Sequence, residues 1–483
     1  MPTDCLHPAS VIRTGIPGRL DALPWSRWHW RVVAALGITW ILDGLEVTVV
    51  GSIGSVLQRD STLALSAVEI GWAGSLYVAG AVCGALYFGR LADRIGRREL
   101  CLITLAVYAI ATVLTAFSFN FVSFAACRFA TGFAIGGEYA AINSAIDELI
   151  PARVRGRVDL AINGSFWVGA AAGAAISLPL LDPRYFAPNV GWRLAFALGA
   201  LLAAAILLVR RHLPESPRWL LTRGRAEQAE AQVAAIEAEV AASHGPLPQA
   251  AATLAIRVRP PPSWREIAHV LFARRRSRAL LGFALMVSQA FFYNAIFFTY
   301  ALVLTRFYGI ADDRVGLYIL PFALGNFLGP LLLGPLFDSV GRRQMISATY
   351  ALSALGLIAA GYAFTRGWLD ATTQTLCWSA IFFLASAAAS SAYLTVSEIF
   401  PLEMRAIAIS VFYAIGTGAG GFVAPALFGA LIASGSREAV FAGYVIGAAL
   451  MLAAALIAVF CGVAAERKSL EDVATPLSAE RQD

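Results

Sequence analysis

The sequence predicts an all-α membrane protein whose twelve transmembrane helices form two pseudo-symmetric six-helix bundles. Three observations carry this prediction: the composition, the recurrence of long apolar segments, and an internal repeat. Of the 483 residues, 58% are hydrophobic and only 14% are charged, whereas a soluble domain has about 25% charged residues. A chain this apolar is typical of a protein embedded in a bilayer.

Twelve apolar segments recur along the chain, each near the roughly 20 residues that a helix needs to cross the hydrocarbon core. They lie near residues 32–57, 69–89, 99–119, 122–145, 158–181, 192–211, 279–305, 314–336, 344–365, 373–397, 406–433 and 439–463. The longest polar break follows the sixth segment. We therefore predict a cytosolic tail over 1–31, a first bundle over 32–211, a cytosolic linker with helices over 212–278, a second bundle over 279–463 and a cytosolic tail over 464–483.

The basic residues set the orientation, because short cytoplasmic loops are rich in Lys and Arg. Arginines cluster after the second, fourth, sixth, eighth and tenth segments: Arg90, Arg94, Arg97, Arg98, Arg153, Arg155, Arg157, Arg210, Arg211, Arg218, Arg223, Arg225, Arg342, Arg343 and Arg405. Both termini are thus expected in the cytoplasm. The net charge of +6 is explained by these loops, so no nucleic acid is expected as a partner. The Arg-rich, Ala-rich composition favours a bacterial cytoplasmic (inner) membrane.

The internal repeat relates the two halves. "GRLADRIGRREL" after the second segment corresponds to "GPLFDSVGRRQM" after the eighth, and "DELIPARVRG" to "SEIFPLEMRA". Asp93 maps to Asp338 at an offset of 245, and Glu148, Pro151 and Arg155 map to Glu398, Pro401 and Arg405 at an offset of 250. Repeated six-helix halves are a transporter design, in which the substrate binds between the halves near mid-membrane.

Three motifs resemble the major facilitator superfamily, within it the sugar-porter-like and metabolite–proton symporter branches. They are "GRLADRIGRR" (Gly89 to Arg98), "PESPRWL" (Pro214 to Leu220) and "RFATGFAIGGEY" (Arg128 to Tyr139). The resemblance covers nearly the whole chain. It implies that acids and arginines on the cytoplasmic side lock the halves together, in one lock of Asp93, Arg97, Arg98, Glu148 and Arg155 and another of Asp338, Arg342, Arg343, Glu398 and Arg405. The alternative is that these arginines only set topology.

Four charged residues lie well inside apolar segments rather than at their ends: Asp43, Glu46, Arg128 and Glu138. A charge at the bilayer centre costs at least about 2.5–3.5 kcal/mol. Asp43 and Glu46 are three residues apart, so their side chains point to one side of a helix, about 60° apart. Arg128 is expected to pair with Asp43, as the acid and the arginine do in sugar-porter symporters, and Glu138 lies about 15 Å further along the fourth helix. We predict that these four residues couple transport to protons. The alternatives are a satisfied buried ion pair, or Arg128 as anchor of an anionic substrate.

The resemblance also implies substrate contacts. Polar and aromatic candidates lie in the fifth, seventh and tenth segments: Asn163, Trp167, Gln289, Tyr293, Asn294, Tyr300 and Tyr393. Polar groups on an apolar helix suit a polar solute, although such groups also join helices. The tenth segment lacks the Pro-Trp pair and the fifth lacks the Gln-rich face of sugar porters, which puts hexose transport in doubt.

The predicted function is secondary active transport: proton-coupled symport of a small polar organic solute, with a carboxylate or aromatic acid favoured, by alternating access. A sugar or polyol symporter and a proton-antiport exporter are the alternatives. We expect no enzymatic activity, because no nucleophile–base pair and no P-loop is present. The six cysteines show no metal-ligand spacing, so neither a metal nor a cofactor is expected. The expected partners are the solute, protons and the lipid bilayer, and a monomer suffices.

Overall fold

The computed structural model describes residues 11–210, 214–248, 254–297 and 299–479. Arg211 and parts of the predicted linker and tails lie outside these ranges. The chain begins with β1 (Val11–Thr14) and α1 (Ile16–Ala22). The first half follows as α2 (Arg27–Leu57), α3 (Ala67–Ile95), α4 (Arg97–Ala116), α5 (Phe121–Leu149), α6 (Arg155–Gly164), α7 (Phe166–Leu180) and α8 (Pro188–Arg210).

The linker and second half complete the chain. The linker contains α9 (Pro217–Thr222), α10 (Ala226–His244), β2 (Leu254–Arg257) and α11 (Trp264–His269), followed by a π-helical turn, Val270–Arg274. The second half consists of α12 (Arg276–Phe297), α13 (Tyr300–Tyr308), α14 (Asp312–Ser339), α15 (Arg342–Thr365), α16 (Ala371–Ile399), α17 (Arg405–Ala433) and α18 (Arg437–Cys461), and α19 (Leu470–Val473) follows it. Short 3₁₀ turns, Ala152–Val154 and Leu402–Met404, precede α6 and α17.

Twelve membrane spans account for the two bundles. Within the described ranges, eleven helical segments are long and apolar enough to cross a membrane. The twelfth span is α5, whose 29 residues are long enough but include Arg128, Glu138, Asp147 and Glu148. The predicted two-bundle fold is confirmed. The fifth span is divided at Ser165, whose hydroxyl donates to the carbonyls of Ile162 at 2.6 Å and Gly37 at 3.0 Å.

Close helix contact fixes the first span, which carries Asp43 and Glu46. A Cβ atom on Gly169 of α7 would lie 1.8 Å from the carbonyl oxygen of Ile41, and one on Gly44 of α2 would lie 1.9 Å from that of Phe166. Only glycine fits at both positions, so the backbones of α2 and α7 touch. Small residues allow this approach in membranes, where packing and not apolar burial drives helix association.

The two halves meet along pseudo-equivalent helices. In the contacts between halves, α3 packs along α17, and α14 packs along α6 and α7. In addition, α5 contacts α17, and α16 contacts α6. The charged ends of these helices are therefore brought together on one side of the molecule.

A small assembly covers that side, and the sequence did not predict its sheet. Strands β1 and β2 pair antiparallel, with Val11 opposite Arg257. Helix α1 packs on α10, where Arg19 forms an ion pair with Glu237 at 2.5 Å. Helix α10 corresponds to the charged, helix-forming segment of the predicted linker. The N-terminal segment and the linker thus form one unit below the bundles.

Candidate functional site

Near the middle of the first half, three buried acids, Asp43, Glu46 and Glu138, lie close to two buried arginines, and two of the acids form ion pairs. Nη1 of Arg128 donates to Oε1 of Glu46 at 2.5 Å. Arg128 also donates to the hydroxyls of Thr115 at 2.9 Å and Thr131 at 3.1 Å. Its guanidinium lies 4.8 Å from the ring centroid of Phe196. Arg128 is therefore held on several sides by the protein itself.

Asp43 has tyrosines as partners instead of an arginine. The hydroxyl of Tyr77 donates to Oδ1 at 3.3 Å, and that of Tyr139 donates to Oδ2. The predicted Asp43–Arg128 pair is therefore wrong. Helix α5 enters the membrane from the end at which α2 leaves it, so Arg128, early in α5, lies level with Glu46 rather than with Asp43. Asp43 is only 3% exposed.

The second ion pair joins Glu138 to Arg210, the last residue of α8. Arg210 also donates to Thr39 and, at 3.2 Å, to the carbonyl of Ala35. Because Arg210 is 1% exposed, it is part of the buried site and not only a topology signal. A cavity of about 10 Å³ lies between Asp43 and Glu138, about the smallest space that holds one water molecule.

Aromatic rings from both halves surround Asp43. Trp40 of α2 stacks on Tyr139 of α5 with ring centroids 4.6 Å apart and an interplanar angle of 23°. From the second half, Tyr393 of α16 lies 5.9 Å from Trp40, and Tyr413 of α17 lies 5.0 Å from Tyr139. The carboxyl group that lacks a cation thus sits at the boundary between the halves, beside flat π surfaces.

Three other predicted substrate residues, Trp167, Gln289 and Tyr293, lie where the two halves meet or within the second half. Trp167 crosses to the second half, 6.0 Å from Tyr293 and 5.1 Å from Phe297, and Gln289 lies half-buried beside Tyr393. The hydroxyl of Tyr293 donates to Oδ1 of Asn326 at 2.9 Å.

Three predicted residues direct their polar groups into the protein. The hydroxyl of Tyr300 donates to the carbonyl of Tyr318 at 2.8 Å. Nδ2 of Asn294 donates to the carbonyl of Ala290, one turn earlier in its own helix, at 2.6 Å. Asn163 donates to Asn143 at 3.3 Å and to the backbone of Asp159 at 2.9 Å. These three are not brought together with Asp43.

Acids and arginines at the shared end of the two bundles form one network across both halves. Arg97 binds Glu148 at 2.9 Å and Asp93 at 3.2 Å. Arg342 binds Glu398 at 3.0 Å and Asp338 at 2.9 Å. These four pairs stay within their own halves, as predicted from the repeat.

Two further arginines of the predicted locks, Arg155 and Arg405, each contact an acid of the opposite half. Arg155 of the first half lies 3.7 Å from Glu398 of the second, and Arg405 of the second lies 3.4 Å from Glu148 of the first. The predicted grouping of Arg155 with Glu148 and of Arg405 with Glu398 is therefore wrong, because each arginine pairs with the acid of the other group. The reason is that α6 and α17 each begin where the halves meet, which places their first residues against the opposite acid.

The two aspartates of the repeat cap helices of the opposite half. Asp93 accepts from the backbone N–H of Ile407 at 3.2 Å, and Asp338 accepts from those of Gly156 at 3.0 Å and Arg157 at 2.8 Å. The first backbone N–H groups of a helix have no partner within the helix and attract a carboxylate. Each aspartate therefore ties its own half to the first turn of α17 or α6.

Two predicted lock arginines lie at the periphery. Arg98 and Arg343 are exposed, and the backbone N–H of Arg98 donates to Glu215 at 3.2 Å. Glu215 also accepts from Arg97 N–H at 2.9 Å and so caps α4. Burial raises the pKa of Glu215, while these N–H donors and the guanidinium of Arg97 act in the opposite direction.

Sequence reasoning missed several residues of the site. Arg210 was read as a loop residue, although an acid buried at Glu138 requires a cation nearby. Tyr77 and Tyr139 gave no separate signal, because a tyrosine in an apolar helix is common. Asp21 also escaped notice, yet it binds Arg218 at 3.0 Å and Arg155 at 3.3 Å. Within the described ranges, no group of three or more His, Cys, Asp and Glu side chains could hold a metal ion.

Comparison with known proteins agrees with this architecture. Residues 30–476 match the family described as sugar (and other) transporters. The chain belongs to this family. It is therefore a multi-pass membrane transporter and not an enzyme. Its helices also superpose on a proton:xylose symporter, XylE, bound to 6-bromo-6-deoxy-D-glucose, with a TM-score of 0.75 and 20% identity over 92% of this chain and 98% of that one. The fold is that of the major facilitator superfamily, as the sequence predicted.

Three bacterial relatives cover most of the chain. The niacin transporter NiaP of Acinetobacter baylyi is 27% identical over 94% of this chain and 98% of its own. The 4-hydroxybenzoate transporter PcaK of Pseudomonas aeruginosa is 27% identical over 93% and 96% respectively. A gallate transporter of Pseudomonas putida is 26% identical over 86% of each chain.

Proposed function

We propose that this transporter carries a small aromatic acid together with a proton by alternating access. The observation that carries the proposal is the position of Asp43, a buried carboxyl group bound by Tyr77 and Tyr139 at the boundary of the two halves. Of the three acids buried in this part of the first half, Glu46 and Glu138 each have an arginine. An unpaired anion in a membrane interior is costly, so Asp43 is the group that gains most by holding a proton.

The aromatic rings indicate the class of solute. Trp40, Tyr139, Tyr393 and Tyr413 present flat faces around Asp43, and offset or edge-to-face contacts between rings add about 0.5–1.5 kcal/mol beyond burial. Niacin, 4-hydroxybenzoate and gallate, named for the three relatives, are each a single aromatic ring with a carboxylate. We infer the same class of solute here, bound beside this aromatic cluster, whose Trp40 and Tyr393 rings are in edge-to-face contact and would have to separate to admit it.

Arg128 is not the anchor of the solute carboxylate in this proposal. Its guanidinium already binds Glu46, Thr115 and Thr131, and removing it from these partners would leave Glu46 as an uncompensated buried charge. The pair instead balances charge inside the first half. Tyrosine hydroxyls, the protonated Asp43 and the indole N–H of Trp40, which has no hydrogen-bond partner among the described residues, are available to donate hydrogen bonds to a carboxylate.

The cytoplasmic network provides the second requirement of alternating access, a gate. Here the network is formed and the halves are tied together on that side. Opening would separate Arg155 from Glu398, Arg405 from Glu148, and each aspartate from the opposite helix. We further propose that this side faces the cytoplasm of a bacterial inner membrane, with both termini inside, and that the monomer is the transporting unit with the predicted division into tails, bundles and linker.

The test is solute-driven proton entry into proteoliposomes. Purified protein is challenged with niacin, 4-hydroxybenzoate, gallate and xylose, while internal pH and labelled solute are both followed. We expect an aromatic acid to drive proton entry, and Asp43→Asn to abolish proton entry while solute counterflow continues. Asp60→Asn is the matched control, because Asp60 is an exposed acid between α2 and α3. Aromatic-acid uptake without proton movement would refute coupling, and xylose-driven proton entry alone would refute the solute class.

A further inference from the structure

A second pair of buried acids lies between the central site and the cytoplasmic network. Asp147 of α5 and Asp159 of α6 are both fully buried and lie close enough to repel each other. Neither oxygen of Asp147, nor Oδ1 of Asp159, has a hydrogen-bond partner among the described residues. The hydroxyl of the neighbouring Ser397 donates instead to the carbonyl of Leu394 at 2.8 Å. Buried carboxylates are rarely left in this condition.

A stripe of polar side chains leads from Asp43 to this pair. Tyr139, Asn143 and Asp147 are spaced four residues apart on α5, which puts them on one face of the helix. Tyr139 donates to Asp43, and Asn143 accepts from Nδ2 of Asn163 at 3.3 Å. The same Nδ2 lies 3.2 Å from Oδ2 of Asp159. The central acid and the buried pair thus border one polar strip about 12 Å long.

An independent observation shows that this strip is built to take a further group. Oδ1 of Asn163 has no hydrogen-bond partner within the described part of the chain, and Asn163 is only 6% exposed. The hydroxyl of Ser144, on the next position of α5, is likewise buried without a partner. An unpaired buried acceptor costs about 1–3 kcal/mol. Unpaired polar groups of two helices, Asn163 of α6 and Ser144 of α5, therefore lie beside Asp147 and Asp159. When ionised, these acids can only accept hydrogen bonds, so they cannot satisfy the unpaired acceptor of Asn163.

The charges around the pair do not neutralise it. Arg155 of α6, Arg342 of α15 and Arg405 of α17 lie nearby, as does Glu398 of α16. These arginines, with Arg97, already pair with the four acids of the network, Asp93, Glu148, Asp338 and Glu398. No ion pair within 4.0 Å involves Asp147 or Asp159 in the ranges described. The two acids are surplus negative charge, which a bound proton would neutralise.

The pair is also asymmetric. At the offset of 250 that relates Glu148 to Glu398, Asp147 corresponds to Ser397 and Asp159 to Ile409. The second half therefore keeps the acids of the lock but has no ionisable side chain at either position of the pair. A feature required only to join the halves would be expected in both. The pair occurs only in the half that carries Asp43.

We propose that Asp147 and Asp159 form a second protonation site, which receives the coupling proton from Asp43 and releases it to the cytoplasm. This inference rests on the proposed function. The proton leaves the Asp43 carboxyl group to water that enters the strip as the cytoplasmic side begins to open, and this water delivers it to a carboxylate oxygen of Asp147 or Asp159. The pair then releases the proton to cytoplasmic water, so that one proton moves inward and each acid returns to its starting state. Occupancy of the pair alters the charge beside Arg155 and Arg405, the two arginines that cross between the halves.

The experiment compares Asp147→Asn, Asp159→Asn and the corresponding Glu variants in proteoliposomes. Solute-driven proton entry and solute counterflow are measured, together with the infrared carbonyl band of protonated carboxylic acids. We expect both Asn variants to keep counterflow, lose proton entry and lose a protonated-acid band, and the Glu variants to regain proton entry. Asp60→Asn controls for the removal of an acid elsewhere.

Two results would overturn the proposal: wild-type proton entry in both Asn variants, or loss of counterflow in the Asn and Glu variants alike, which would indicate a structural role. Failure of the proposed function is distinguishable from both. If wild-type protein moves no protons with any solute, proton symport is refuted. The infrared band then tests separately whether the pair holds a proton. If the protonated-acid band stays unchanged in both Asn variants, Asp147 and Asp159 do not form a protonation site.

Discussion

Nη1 of Arg155 lies 3.7 Å from Oε1 of Glu398, so an arginine of the first half pairs with an acid of the second. Arg405 and Glu148 form the equivalent contact at 3.4 Å in the opposite direction. All four side chains are at most 1% exposed. Because each half supplies one arginine and one acid, separating the halves on this side would break both contacts together. We expect the two contacts to act as one two-state gate.

Removing a crossing arginine should favour the state that is open to the cytoplasm. Breaking one partner of a buried ion pair costs about 3–5 kcal/mol, and here the cost falls only on the closed state. We expect Arg405→Ala to widen the distance between spin labels at residues 99 and 344, which are exposed at the ends of α4 and α15 beside the network. Arg343→Ala is the control, since Arg343 is exposed. An unchanged distance distribution in Arg405→Ala would contradict the gate.

The Glu46–Arg128 pair should behave as a charge-balancing unit. Glu46→Gln or Arg128→Met alone leaves one buried charge. Each variant should therefore lower the free energy of unfolding by about 3–5 kcal/mol and lower the thermal unfolding temperature markedly. The double variant should recover most of that loss. Thermal unfolding in detergent measures this directly. If the double variant were as unstable as the sum of the single variants, the two side chains would not be coupled.

Tyr139 should matter through its hydroxyl as well as its ring. Tyr139→Phe keeps the stack with Trp40 but removes the donor to Asp43, a hydrogen bond of the kind that contributes about 1.5–3 kcal/mol when one partner is charged. We expect proton entry per solute to fall while the affinity for an aromatic acid changes little. Tyr393→Phe is the matched control, because its hydroxyl does not bind Asp43. Equal effects of the two variants would refute the assignment.

The sequence was sufficient for the parts of the fold that depend on composition and repetition. Apolar length identified the spans, and the repeated motifs pointed to the acids and arginines that form the ion-pair network. The partners of individual charges were not predictable in the same way. Glu46 and Asp43 differ by less than one helical turn, so only the relative height of α2 and α5 decides which acid meets Arg128. The exchange of Arg155 and Arg405 depends likewise on how the halves meet, which no single segment encodes.

The contact between α2 and α7 should be intolerant of any side chain at Gly169. A Cβ atom there would lie 1.8 Å from the Ile41 carbonyl oxygen, so α2 must shift, and overpacking of this kind costs about 1–3 kcal/mol. We expect Gly169→Ala to lower the unfolding temperature and solute uptake together. Gly418→Ala is the control, since nothing lies within 4 Å of the added Cβ. Because alanine favours a helix more than glycine does, by about 1 kcal/mol, helix propensity alone would stabilise both variants. Comparable losses in both would show that the contact with Ile41 is not responsible.

Asp21 should hold the N-terminal segment against the gate. It accepts from Arg218 at 3.0 Å, from Arg155 at 3.3 Å and from the backbone N–H of Ala152 at 3.1 Å, and its side chain is 14% exposed. Arg218 belongs to the PESPRWL motif and also binds Glu471 near the C-terminus at 3.1 Å. Asp21→Asn removes the charge that joins these arginines, so α1 should dissociate more readily and the gate should open more often.

The measurement for Asp21→Asn is protease cleavage within residues 11–22, together with the distance between labels at residues 99 and 344. We expect faster cleavage and a larger open fraction than in wild type. Arg19→Gln provides the comparison, because Arg19 binds only α10, through Glu230 and Glu237; it should speed cleavage without moving the labels. If Asp21→Asn released the segment but left the labels unmoved, the segment would be an anchor for the linker and not part of the gate.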